Sequence, residues 1–158
     1  MFQIGDKIVH PMHGAGVIDD IVDRKVNGVV RSFYSMKLPM GGMLVMIPID
    51  SCEVIGVRPV MTQEEAEAVL ASIPELQVDM TPNWNRRYQE NMSRLKSGNL
   101  VEVAAVVKGL MQRETARGLS TGERKMLHTA KQILISEIGM AEALSYEEAE
   151  ARINRALA

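Results

Sequence analysis

The sequence predicts an α+β protein of two domains, a five-stranded SH3- or Tudor-like β-barrel over residues 1–60 followed by an all-α helical bundle over residues 61–158. Three observations predict it. Short Val- and Ile-rich runs give way near residue 60 to apolar residues at helical spacing. From that point, polar caps with a glutamate three residues on mark a series of helix starts. Charge is also segregated, although the whole chain sums to only −2. Residues 1–60 are balanced, residues 61–80 carry five acids and no base, and residues 81–131 carry ten bases against four acids. A basic block between acidic ones points to a local anion-binding face.

In the first domain, strands are predicted at Lys7–Val9, Gly16–Val22, Val29–Lys37, Leu44–Ile49 and Val54–Val57. Asn27-Gly28 lies between two of these runs, and both residues tolerate the positive φ of a type I′ hairpin. Gly14 and Gly16 flank Ala15 and predict a sharp bend between the first two strands. Met40-Gly41-Gly42 predicts the next loop, and Pro48 a strand end or an edge.

In the second domain, helices are predicted near 63–72, 83–97, 100–117, 121–143 and 146–157. Thr62 with Glu65, Ser120 with Glu123 and Ser145 with Glu148 fit the capping box, and Asn99 with Glu102 is an Asn-led version. Gly98 and Gly118 stand where helices should stop. Met126, Leu127, Ala130, Ile133, Leu134, Ile138 and Ala141 recur at helical spacing and predict a core stripe. Ile73–Pro82, with two prolines, predicts a connector.

Composition excludes several classes. Hydrophobic residues at 46% and charged residues at 24% describe a folded chain rather than a disordered one. No window approaches the ~20 apolar residues that span a bilayer, and the first residues lack a signal-peptide pattern, so a cytoplasmic protein is expected. Cys52 is the sole cysteine, which precludes an intrachain disulfide and reads as a small buried strand residue. His10 and His13 lie three apart without a third ligand at metal-site spacing, so no metal is expected. His-Gly-Ala-Gly at 13–16 lacks the lysine and the following helix of a phosphate loop. No nucleophile motif is present, and neither an enzyme nor a cofactor is expected.

The informative segment is Thr81-Pro82-Asn83-Trp84-Asn85-Arg86-Arg87-Tyr88, which holds the only tryptophan. Trp84 either closes the top of the helical core or stands exposed at a helix start. In the second case an aromatic wedge, two arginines and a helix N-terminus meet in one turn, a combination suited to nucleic acid. Arg94 and Lys96 continue the charge, and Lys108, Arg113, Arg117, Arg124 and Lys125 add to it from later helices.

Three blocks then carry a resemblance over nearly the whole chain. Gly5-Asp6-Lys7-Ile8-Val9-His10-Pro11-Met12-His13-Gly14 resembles the opening of the RNA-polymerase-interacting domain of the CarD/CdnL family of bacterial transcription regulators. A related domain occurs in transcription-repair coupling factors. Asn83–Tyr88, with Asn91 and Leu95-x-Ser97-Gly98, resembles the start of the family's helical DNA-binding domain. Arg117-Gly118-Leu119-Ser120-x-Gly122-Glu123-x-x-Met126-Leu127 is the third block.

The resemblance implies a monomer that joins RNA polymerase to promoter DNA, and so associates with the nucleoid. The barrel would pair with the polymerase β subunit through Leu44, Val45, Met46 and Ile47, with Arg24 beside that interface. Family members often carry an arginine where this sequence has Met46, which removes one ion pair. Met36, Met40, Met43 and Met46 read either as an adaptable apolar surface or as core and loop filler. Trp84 would wedge into the minor groove at the upstream edge of the promoter bubble, flanked by Arg86 and Arg87. The clustered charge of the helices extends the expected DNA-binding set through Arg94, Arg124 and Lys125. Gln89 falls where some relatives carry a lysine, removing one phosphate contact. A wedge that fits only opened DNA would stabilise the open complex at many promoters. The other readings of the basic helices are a polymerase adaptor without DNA contact and an RNA-binding accessory factor.

Overall fold

Alternating apolar residues in the first third of the chain can bury one face of a sheet, and they do so here. The computed structural model describes residues 1–158. Its strands are β1 (Lys7–His10), β2 (Gly14–Val26), β3 (Val29–Lys37), β4 (Leu44–Pro48) and β5 (Arg58–Pro59). They form one antiparallel sheet in the order β4-β3-β2-β1-β5, which leaves β4 and β5 as its edges. Ile8, Ile18, Tyr34, Met36, Ile47, Cys52 and Val57 fill a small core. A bulge between Ile18 and Asp20 shifts the register of β2 against β3. Beyond the bulge the two strands continue as a ribbon, closed where Val26 pairs with Val29 across Asn27 (φ 53°) and Gly28 (φ 79°). Two positive φ values at a two-residue turn are those of the predicted type I′ hairpin.

Four expectations need correction here. Val54–Val57 is not a strand. After Pro48 the chain makes a 3-10 turn at Ile49–Ser51 and a one-turn helix, α1 (Cys52–Ile55), stopped by Gly56 at φ 95°. Val54 is 91% exposed, and the fifth strand is instead β5, whose Arg58 and Pro59 pair with Val9 and Ile8. Local helical bonds satisfy this short segment, so its β-branched residues do not decide its state. Cys52 is accordingly buried on α1 rather than on a strand. Gly16 makes no bend. It lies inside β2, where a Cβ would come within 2.6 Å of the Lys37 carbonyl oxygen, so its role is close strand approach. Met36 is fully buried in the sheet core and offers no surface.

The helices follow their caps. They are α2 (Gln63–Ser72), α3 (Trp84–Lys96), α4 (Leu100–Arg117), α5 (Thr121–Glu142) and α6 (Tyr146–Leu157). Thr62 and Ser145 complete reciprocal capping boxes. Ser120 accepts the Glu123 N–H, but the Glu123 carboxylate accepts from Arg87 and the Ser120 hydroxyl rather than from the Ser120 N–H, so the third box is only half made. Residues 73–75 add a 3-10 turn to the connector. A second core of 21 buried side chains, from Ala66 to Ile153, holds the helices together and is separate from the core of the sheet. No helix is long and apolar enough to cross a membrane.

Candidate nucleic-acid interface and partner edge

Pro82 disfavours helix in the residue before it, and the Asn83 side chain accepts the Arg86 N–H at 3.0 Å. Trp84 is therefore the first residue of α3, and no acidic residue lies in that first turn to offset the positive end of the helix dipole. Trp84 is 44% exposed. Its indole N–H donates to Ser120 Oγ at 3.0 Å, and its ring stacks on Tyr88 with centroids 5.2 Å apart. The aromatic pair lies over Gly122, where an added methyl would touch both rings. Tyr88 is half-buried against the helical core, whereas Trp84 stands at its margin and does not plug it.

The basic residues separate on burial. Arg86, Arg124 and Lys125 are exposed, and only Arg86 has a carboxylate near it, Glu90 at 3.4 Å. Arg124 and Lys125 occupy the first turns of α5, close in sequence to the serine that holds Trp84. Arg94 lies ten residues along α3, about 15 Å from Trp84 at ~1.5 Å per residue, and pairs with Glu102 at 3.5 Å. The structure does not bring Arg94 to the tryptophan.

Arg87 is the clear correction. Expected beside Arg86 at the surface, it is 2% exposed. Its Nε donates to Glu123 Oε2 at 2.8 Å and its Nη2 to Glu123 Oε1 at 3.3 Å, while Nη1 donates to the Thr81 and Pro82 carbonyl oxygens. Adjacent helical residues point about 100° apart, so Arg86 facing water turns Arg87 inward. A guanidinium so placed reaches no phosphate, and its work is to fix the chain entering α3 onto α5. Burial alone would push the Glu123 carboxyl up. The hydrogen bonds and charge of Arg87, with the bonds from Ser120, outweigh that and hold it below the usual carboxylate range.

In the sheet, β4 offers a free strand edge. The Leu38 N–H bonds to the Met43 carbonyl oxygen, and antiparallel alternation then directs the main-chain groups of Leu44 and Met46 away from β3. Leu44 is exposed, Val45 and Met46 are half-buried, and Ile47 belongs to the core. Pro48 sits opposite Phe33 at a position where the ladder needs no N–H. Arg24 is exposed on the ribbon directly across from Arg31, and only Arg31 has a carboxylate partner, Asp50 at 2.8 Å. Met40 and Met43 are exposed on the loop before β4.

The rings of His10 and His13 lie side by side, centroids 4.6 Å apart, and no group of three or more His, Cys, Asp or Glu gathers there. His10 Nδ1 accepts the Met12 N–H, and burial, then the neighbouring His13, push its pKa down. Sequence reasoning missed Ser120 as the indole's partner and the two glutamates buried on α5, Glu123 and Glu137. A signal was there. Both glutamates fall in the apolar stripe with Leu127, Ala130, Leu134 and Ala141, and a carboxylate in a core seam implies a buried cation.

Residues 2–61 match the family model described as the CarD-like/TRCF RID domain, and residues 68–154 match the model of the CarD C-terminal domain. A protein of Bacillus subtilis (strain 168) named YdeB, described as a candidate transcription factor, is 32% identical over 148 residues. That similarity spans 94% of this chain and 97% of the relative.

Proposed function

The chain belongs to the CarD family of transcription factors, and from that premise we propose that it couples RNA polymerase to opened promoter DNA. In this reading residues 1–60 bind the polymerase β subunit by adding a strand to β4, with Arg24 meeting an acidic group beside that edge. Residues 61–158 bring Trp84 to the upstream edge of the bubble, where Arg86, Arg124 and Lys125 meet phosphate. A wedge that finds a stacking partner only in melted DNA binds the open state better than the closed one, and shifts the equilibrium by that difference.

One observation carries the proposal: the only tryptophan stands exposed at an uncompensated helix N-terminus, its ring held by Ser120 and Tyr88. A held ring loses little freedom on stacking against a base. The test is Trp84→Ala in the full chain. The lifetime of the open promoter complex should fall about 5- to 150-fold, the equivalent of one aromatic–base stack at ~1–3 kcal/mol. Polymerase binding and melting temperature should stay close to the parent's. A variant that melts normally and still prolongs the open complex would overturn the wedge.

A further inference from the structure

We infer that α5 is a rigid spacer, clamped to the sheet at one end and to Trp84 at the other, and that Arg58 and Glu137 are positioning residues. The inference rests on the reading above for its purpose, but its geometry stands independently. At the far end of α5, Glu137 has no exposed surface. Arg58 of β5 donates to it through both terminal nitrogens, at 2.6 and 2.7 Å, and the Met61 N–H donates to it at 3.0 Å. Arg58 Nε also donates to the Gly98 carbonyl oxygen at 3.2 Å, so one guanidinium ties the sheet edge, α5 and the α3–α4 turn together. One residue earlier, Ser136 Oγ accepts the buried Ala15 N–H of β2 at 2.9 Å. Gly14 lies so close to Ser136 and to the Ile133 backbone that no side chain fits between them.

A carboxylate with two forked bonds and an amide bond is geometrically specified, unlike an apolar contact that tolerates sliding. The near end of α5 is specified in the same way. Ser120 holds the Trp84 indole, and Glu123 takes the Arg87 fork. Glu123 and Glu137 are 14 residues apart, about four turns, and so lie on nearly the same side of the helix. From Ser120 to Glu137 the helix spans about 25 Å at ~1.5 Å per residue. The clamp closes on β5 and β2, and so the sheet that carries the β4 edge is set at a fixed separation from the wedge along α5. The two cores fold around separate residues, so loosening the clamp should free the angle between them without unfolding either.

The test uses the full chain with Cys52→Ala, spin-labelled at Val54→Cys and Gln89→Cys, both on exposed positions. Electron–electron distance measurement should give one narrow distribution in the parent. Arg58→Lys, which keeps the charge but loses the fork, and Glu137→Gln should each broaden it while the chain stays folded. If a tenth of the molecules then hold the wedge in place, the gain in open-complex lifetime falls about tenfold at unchanged polymerase affinity. Should Glu137→Gln fail to fold, Arg58→Lys and Ser136→Ala decide the matter. Distance distributions that stay narrow in these variants would overturn the clamp, as would a broad one in the parent. Loss of polymerase binding by Arg58→Lys would place Arg58 in the partner interface instead and also overturn it. If the parent itself fails to prolong open complexes, the functional reading falls, while the distances still judge the clamp.

Discussion

Two arginine forks close on two glutamates of the same helix, and they do different work. Arg87 and Glu123 are 2% and 3% exposed at the side chain, and both partners belong to the helical core. Arg58 is 30% exposed while Glu137 is not exposed at all, and this pair joins the sheet to the helical core. Identical chemistry therefore supports stability in one place and geometry in the other. A pair inside one packed unit cannot be lost without leaving a charge stranded in that unit. In the pair between two units, the arginine is partly exposed, so its departure opens a path for water to Glu137 while each core stays filled.

The largest effect should come from Glu123→Ala. It strands the Arg87 guanidinium and should cost ~3–5 kcal/mol of stability in denaturant unfolding. Replacing both partners with apolar residues, Arg87→Met with Glu123→Leu, should restore most of that loss. The contrast breaks if Arg58→Ala, which vacates a 30%-exposed site through which water can reach the buried Glu137, proves as costly as Glu123→Ala. Acid should act on the same pair. Glu123 is held below the usual carboxylate range, so its contribution is complete above the unfolded value of about 4.3 and fades as the pH falls through the folded value. Unfolding at low pH should thus become less acid-sensitive in Glu123→Gln.

A smaller change is expected from Ser120→Ala, which removes the α5 cap and the indole's partner together. Its stability cost should be ~0.5–2 kcal/mol, and the emission of the single tryptophan should shift as the ring loses its anchor. The smallest effects separate neighbouring arginines. If Arg86, Arg124 and Lys125 each meet a phosphate, DNA binding should show a slope of about −3 in log K against log salt, and Arg86→Ala should reduce its magnitude by about 0.9. Substitutions at Arg87 that leave the chain folded should not change the slope. Arg24→Glu should weaken capture of the polymerase β subunit with no change in melting temperature, and undiminished capture would remove Arg24 from that interface.

Much of the fold was legible because it is written in short-range signals. The Asn27-Gly28 hairpin, the caps at Thr62, Asn83, Asn99 and Ser145, and the helix stops at Gly98 and Gly118 depend on residues within a turn of each other. The helix start at Trp84 was legible for the same reason, since Pro82 and Asn83 fix it, whereas the exposure of its ring was left open. Val54–Val57 misled because three apolar residues around a glycine fit either a strand or a short helix, and Gly56 at φ 95° ends a helix there.

By itself, then, the sequence determined four of the five strands, the five long helices with their caps, the core stripe of α5, and the helix start that carries Trp84. Tertiary structure decided which charges face water. Arg86 and Arg87 are chemically alike in the sequence, yet one is exposed and the other is sealed against a glutamate 36 residues away. Arg58 and Glu137, 79 residues apart, gave no local sign that they would meet. The reason is physical. Caps and turns are satisfied by neighbours in the chain, whereas a buried charge takes its partner from whatever element packing brings within ~3 Å, and only the folded chain sets that distance.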